Sequence, residues 1–361
     1  MSAYATKLAE AFSAKLLQQV YDKSLAGFIT NEDYSGDVQQ GSKVNIPALG
    51  KLAQKTYSGA DLTADDLTEI VALLTVDQFK SFYFKVKTLN EYKSFIKSPK
   101  SKTISQRANE RRKDVDEFVL GFYGDVAAGQ RIGTNYVTGT VTVTTGTGAV
   151  TGSGTTFTAA MVGRGFKATG HTAWYRVKSY ASATSIVIED DLDDVATAYT
   201  GGTIAGGTTY VIEAATPVAV TKSTIMNKLL ALKTMLDDAE VPAEGRWVTF
   251  PAIIANLVPE GDNIAIAVPE VYAELVKRGF ISRVVGFDVF SSTRLTGNST
   301  DGYHCLAGTT DWQTFADKML ETGIEEDLTG NFGSAYKDLY IYGAKVADER
   351  RKFATELFAK V

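Results

Sequence analysis

One stretch constrains the fold of this chain more than any other: residues 103–129, TISQRANERRKDVDEFVLGFYGDVAAG. Ile104, Ala108, Val115, Phe118, Val119, Phe122 and Val126 recur at helical spacing and so line one face of a single long helix. Thr103 followed by Gln106 reads as a capping box, a hydroxyl and an amide that can each satisfy an orphan backbone N–H. Gly129 reads as the stop. At about 1.5 Å per residue the rod spans roughly 40 Å, long for a globular helix. Strand-like sequence precedes it. After an abrupt change of composition, mixed sequence follows. The helix reads as a spine with the rest attached at its ends.

The 361 residues leave room for about two or three domains. With 44% apolar and 22% charged residues, ordinary burial can hold their cores. Residues 5–28 place Leu8, Phe12, Leu16, Leu17, Val20, Tyr21 and Leu25 at helical spacing, an amphipathic arm whose stripe needs a partner. Residues 41–49, GSKVNIPAL, read as a strand closed by Pro47. Two period-two runs, 70–76 and 79–86, flank a bend at Asp77 and Gln78 and read as a long hairpin. A lone hairpin is marginal in water, so this one should lie on something else.

Residues 134–214 are dense in Thr and Gly, with short alternating runs at Val141 and Val143, Tyr175 and Val177, and Ile186 and Ile188. Several short strands between Gly-rich turns predict a small β-sandwich or barrel, inserted because helix-rich sequence resumes after it. Residues 221–240 are a helix facing the core through Ile225, Leu229, Leu232 and Leu236. A strand at 246–250, helices at 252–258 and 271–277, two strands around Gly286, a strand at 303–307, a helix at 311–320, a strand at 337–346 and a helical tail at 348–358 complete the reading. Strands and helices mix without strict βαβ order, so the class is α+β.

Catalytic constellations are hard to find. There is no GxxxxGK[ST], HExxH, CxxC or GxSxG. The Gly-rich run around Gly146, Gly148, Gly152 and Gly154 has Thr151 where a dinucleotide fingerprint needs glycine, and it reads as a turn. The acidic run 189–194 lacks the sixth-position glycine of a calcium loop and reads as a solvated turn. Only His171 and His304 are available as imidazole bases. Cys305, the one cysteine, cannot form an internal disulfide and reads as a packed thiol on a strand. The start shows no signal-peptide pattern, and no run approaches the ~18 apolar residues of a membrane span. The reading is therefore of a non-enzymatic protein with no metal and no cofactor.

Charge is more informative. The formal net charge is −5, against a surface made wholly for nucleic acid. Yet Lys80, Lys85, Lys87, Arg107, Arg111 and Arg112 belong to a basic stretch, while Asp61, Asp65, Asp66 and Glu69 form an acidic one just before it. The basic stretch reads either as a surface for phosphates or as one side of a contact between subunits, with the acidic stretch of a neighbour as its counterpart. The two signs at the two ends of the hairpin favour the second reading.

The order of parts resembles the major capsid proteins of tailed phages, with the Hong Kong 97-type fold. The resemblance is carried by the arm, by GSKVNIPALG, by residues 27–93 as arm and extended loop, by the spine helix, by 245–252 and 279–295, and by 303–346 ending in KDLYIYGAKV. It covers most of the chain except 134–214. It implies an N-terminal arm at 1–49, an extended loop at 50–90, a peripheral domain with the spine at 91–133, an inserted β domain at 134–214, an axial domain at 215–330, and a return to the peripheral domain with a C-terminal tail at 331–361. It further implies self-assembly into pentamers and hexamers of an icosahedral shell around double-stranded DNA, in a virion assembled in the host cytoplasm. Partners would be a separate scaffolding protein, since the arm starts near Met1, together with a portal, decoration proteins and non-specific contact with packaged DNA. The inserted domain would face outward, strengthening contacts or binding glycans. Two rival readings are an encapsulin-type compartment of the same fold and a glycan-binding adhesin working through the β domain.

Overall fold

A computed structural model of the chain describes residues 24–33, 43–49, 69–88, 99–191, 199–259, 280–325 and 332–361. In chain order the helices are α1 (Ala26–Ile29), α2 (Pro99–Leu120), α3 (Ile225–Asp238) and α4 (Ala252–Ala255). The strands begin with β1 (Lys43–Leu49), β2 (Glu69–Thr75), β3 (Gln78–Lys87), β4 (Arg131–Ile132), β5 (Thr134–Tyr136), β6 (Thr140–Val143) and β7 (Ala149–Ser153). They continue with β8 (Gly165–Ala168), β9 (Tyr175–Ser182), β10 (Ser185–Asp190), β11 (Ile204–Thr208), β12 (Tyr210–Thr216), β13 (Val218–Ala219) and β14 (Trp247–Phe250). The last are β15 (Phe280–Val284), β16 (Phe287–Ser291), β17 (Gly297–Asn298), β18 (Gly302–Gly308), β19 (Thr314–Glu325), β20 (Gly333–Lys345) and β21 (Ala354–Lys360). The predicted arm before residue 24 and the helix expected at 271–277 lie outside the described residues.

The chain divides into two compact units, one drawn from Asn31–Ile104 and Thr314–Lys345, the other from Gln18–Thr30, Ser105–Gln313 and Val346–Val361. In the first, β20 is the middle of a three-stranded antiparallel sheet, with β19 on one side and β3 on the other. β1 and β2 form a separate antiparallel pair, in register from Lys43 opposite Thr75 to Leu49 opposite Glu69. Val44, Ile46, Leu74 and Val76 pack with Ala316 and Ile341, which places this pair over one face of the sheet.

Residues 70–76 and 79–86, read above as the arms of one hairpin, are therefore not partners. The first run pairs with β1 and the second with β20. The cause lies at Gly343: a Cβ there would sit 2.8 Å from the Val76 Cα. The bare glycine lets the end of β2 cross closely over β20, and the bend then delivers β3 to the edge of the sheet.

The second unit holds two larger sheets. One is mixed, in the order β13-β21-β18-β14-β16-β15, with β4 also on β21 and β17 on β18. Helix α3 covers it. Ile225, Leu229, Leu232 and Leu236 are fully buried, as their spacing requires, and join a core with Val248, Phe250, Phe287 and Leu357. Between β15 and β16 the turn residues Val285 and Gly286 have φ of 54° and 85°, the two left-handed residues of a tight hairpin whose twist matches its strands.

The other is the Thr- and Gly-rich region, an antiparallel sheet in the order β11-β6-β7-β10-β9-β8-β12-β5. Its ends are tied by chemistry: β11, at one edge, is joined to β12, near the other, by the single residue Thr209. A flat sheet of that order would hold these strands far apart, so it must roll on itself. The inward residues of its strands accordingly meet in one core around Phe166, Ile186, Tyr210 and Ile212. Val141, Val143, Tyr175, Val177 and Ile188 all point into that core, as their alternation with polar residues predicts.

Helix α2 occupies the place of the predicted spine with shifted ends. It starts at Pro99, a good first helical residue, so Thr103 lies within the helix and does not cap it. It ends at Leu120, where Gly121 and Gly124 tighten the chain into a 3-10 turn, Gly121–Asp125. Asp116 on this helix accepts hydrogen bonds from Ser24 Oγ (2.7 Å), Leu25 N (2.9 Å) and Ala26 N (3.3 Å), fixing the start of α1. Two predicted helices are strands. Residues 311–320 make a 3-10 turn, Thr310–Trp312, and then β19, because the long ladder with β20 overrides their propensity. Residues 348–358 make the 3-10 turn Asp348–Phe353 and then β21, which is buried on both faces between β18 and the β4 and β13 strands. Cys305 lies on β18 as a buried free thiol.

Candidate functional site

The residues singled out for contact between subunits separate into distinct settings. Asp61, Asp65 and Asp66 lie outside the described residues, and Glu69 opens β2. Lys80, Lys85 and Lys87 are exposed on β3. Side chains alternate along a strand, so Lys85 and Lys87 share a face with Phe79 and Tyr83, and Lys80 projects from the other. Phe79 is 61% and Tyr83 51% exposed, values that mark an uncovered apolar surface on an edge strand. Lys85 Nζ lies 5.4 Å from the centroid of the Tyr83 ring, a cation–π contact. Leu320 on β19 and Phe332 before β20 are further exposed apolar residues of the same unit.

Arg107, Arg111 and Arg112 follow one another on α2 of the second unit. Arg107 is exposed, Arg112 half-buried and Arg111 buried, and none of the three is free. Arg111 is thus a component of the interior and not of a displayed basic surface.

Sequence reasoning missed the strongest concentration of charge. Arg131 on β4 stands opposite Glu356 on β21 in the strand register, with its Nε 3.3 Å from Glu356 Oε2. Its Nη1 donates to Glu213 Oε1 on β12 at 3.1 Å and to the Gly163 carbonyl at 3.0 Å. Arg164 Nη1, from just before β8, lies 2.8 Å from both oxygens of Glu356. His304 Nδ1 lies 2.6 Å from Glu356 Oε1; a carboxylate only accepts, so this nitrogen carries the hydrogen. The His304 ring is stacked between Tyr123 and Phe358, with centroids 3.9 and 4.3 Å away.

Burial would raise the Glu356 carboxyl. The bond from His304 and the charges of Arg164 and Arg131 outweigh it and hold the group at about 2. Glu213 goes the other way: its burial dominates, the Arg131 charge offsets only part of it, and the group is pushed up to about 6. A parallel pair joins Arg351 Nη2 to Asp191 Oδ1 at 2.7 Å, with Ala128 N donating to the other oxygen. A cavity of about 740 Å³ opens beside the cluster, with Arg164, His304, Phe358, Lys360 and Asn298 in its wall.

One signal of this cluster was present in the sequence. Glu213 in YVIEAAT and Glu356 in ATELFAK are acids inside apolar runs, and a buried carboxylate requires a cation. The partners could not be read, because they come from distant strands. Chemically the arrangement fixes positions and neutralises charge. Among the described residues no group of three or more His, Cys, Asp or Glu is placed to hold a metal ion.

No family model and no curated protein sequence matches the chain. Solved structures do. A chain from Mycobacterium phage Che8 aligns with a TM-score of 0.54 at 16% identity, over 92% of this chain and 90% of that one. The capsid of Ralstonia phage GP4 aligns with a TM-score of 0.52 at 11% identity, over 94% and 92%. The capsid of the cyanophage P-SCSP1u aligns with a TM-score of 0.50 at 14% identity, over 89% and 84%. The chain therefore has a mixed helix-and-strand fold like that of these phage chains, over nearly its whole length.

Proposed function

We propose that this protein is the major capsid protein of a tailed phage and that copies of it close into the icosahedral shell around a double-stranded DNA genome. The observation that carries the reading is the likeness to the capsid chains of Ralstonia phage GP4 and cyanophage P-SCSP1u, over 84% or more of each chain. In this reading the fold is of the Hong Kong 97 type. Residues 50–90 are the extended loop, and α2 is the spine of the peripheral domain at 91–133, to which 331–361 return. Residues 215–330, with α3, are the axial domain, and the rolled sheet is an inserted domain facing outward.

The exposed apolar residues of the first unit fit this role. Phe79, Tyr83, Leu320 and Phe332 are surfaces that a neighbouring copy would cover. The role is structural and not catalytic, with assembly in the host cytoplasm. Pentamers and hexamers of the chain join a portal, a separate scaffolding protein and decoration proteins, and contacts with packaged DNA are non-specific. The interfaces are individually modest and act together through closure.

Electron microscopy of the expressed full chain, alone and with the neighbouring structural proteins of its genome, tests the reading. Closed shells or free capsomers are the expected result, and particles filled with DNA mark the phage. A protein cargo in place of DNA points to a compartment shell. A strictly monomeric protein at high concentration in both preparations overturns the proposal.

A further inference from the structure

We infer that the rolled sheet is hinged to the mixed sheet and held in one orientation by an electrostatic latch formed by Arg131, Arg164, Glu213, Glu356 and His304. The hinge is visible in the strand order. β4 of the mixed sheet ends at Ile132 and β5 of the rolled sheet begins at Thr134, with only Gly133 between them. On the return, β12 ends at Thr216 and β13 begins at Val218, with only Pro217 between them. The crossings are in contact: a Cβ on Gly133 would lie 2.7 Å from the Ala214 Cα, and Ala214 itself has a φ of 45°. Two single-residue crossings at one point form a neck. A neck holds two bodies together and fixes their orientation poorly.

Among the described residues the core of the mixed sheet and the core of the rolled sheet are separate clusters with no residue in common. A cavity of about 740 Å³ lies at the junction, walled by both bodies. Ion pairs and hydrogen bonds cross the junction. Arg164, on the rolled sheet, grips both oxygens of Glu356 on the mixed sheet. Arg131 crosses in the opposite direction to Glu213 and to the Gly163 carbonyl. Arg351 crosses again to Asp191, beside the cluster.

Such an arrangement is suited to orientation and poorly suited to raw stability. A buried ion pair gains little over an apolar pair of the same size. Removing one partner, however, strands the other charge, and the charge-assisted hydrogen bonds from Arg164 Nη1 and Arg131 Nη1 are made in one alignment only. With the cluster closed, the rolled sheet has one position. With it opened, the neck leaves it free to swing into the cavity. The inference concerns the single chain and holds whether or not that chain builds shells.

Hydrogen exchange on the unassembled full-length chain tests it, with Arg164→Met as the main variant. Methionine preserves the apolar stem and removes the charge and its hydrogen bonds, and the sequence of β21 is untouched. Asp191→Asn is the second variant, weakening the flanking tie. The expected result is at least a tenfold rise in exchange for the backbone amides of 129–135, 159–165 and 213–219. Amides within β6, β7 and β10, and within β14 and β16, keep their wild-type protection. Unchanged exchange at the neck in a folded Arg164→Met chain overturns the inference. So does exchange that rises uniformly through both sheets in both variants, because the cluster would then be a general stabiliser and not a latch.

Discussion

Glu356 and Glu213 sit a few ångströms apart around the same arginine, and acid affects them oppositely. Glu356 is held at about 2, below its ordinary 4.5, so the stability it contributes is complete above pH 4.5 and is lost as pH falls toward 2. The size of that contribution is on the order of 3 kcal/mol. Glu213 is raised from 4.5 to about 6, so the fold binds its proton more readily than the unfolded chain does. Its buried charge is a cost above pH 6 that is relieved as pH falls toward 4.5. Urea unfolding across pH 2–7 should therefore show stability flat or slightly rising from pH 6 to about 4.5 and falling below that. In Glu356→Gln the loss below pH 4.5 should be largely absent. An equal acid loss in that variant would mean other carboxylates dominate.

At the scale of the element, helix α3 shows how a periodic sequence turns directly into packing. Leu229→Ala should cost about 2–5 kcal/mol, because it removes a fully buried side chain and leaves a cavity. Leu230→Ala, one position along and 45% exposed, should cost no more than about 0.5 kcal/mol. Chemical denaturation of the two variants checks the contrast. The same element scale shows what could be read before the structure. Helix α3, the β15–β16 turn and the inward residues of the rolled sheet were legible because each is decided by spacing within a few residues. The strand nature of residues 314–325 and 354–360 was not. DKMLE and ATELFAK favour helix locally, and only their partners, β20 for one and β18 with β4 for the other, draw them into sheets. The hairpin assignment failed for a related reason. Alternation identifies a strand and is silent about its partner, and the partner of β3 is more than 240 residues away, as Tyr342 opposite Gln78 shows. The charge cluster was legible only as isolated acids in apolar runs.

At the scale of the whole molecule, the two units differ in how well they are finished. Among the described residues the second encloses two buried apolar cores. The first shows aromatic side chains on an edge strand. If copies of the chain cover that face, Phe79→Ser with Tyr83→Ser should leave the unfolding midpoint of the isolated chain nearly unchanged, since exposed positions contribute little. The same pair of substitutions should weaken self-association at least tenfold in sedimentation experiments. A large loss of monomer stability with unaltered association would show that the face serves the unit's own fold.

One further consequence attaches to β21. It lies inside the mixed sheet, yet it is the last of that sheet's strands to leave the ribosome. β4, β13 and β18 must wait for it, each made earlier and each lacking a neighbour until it arrives. Translation thus imposes an order: until residues 354–360 emerge, the edges of β4, β13 and β18 that β21 will pair stay open.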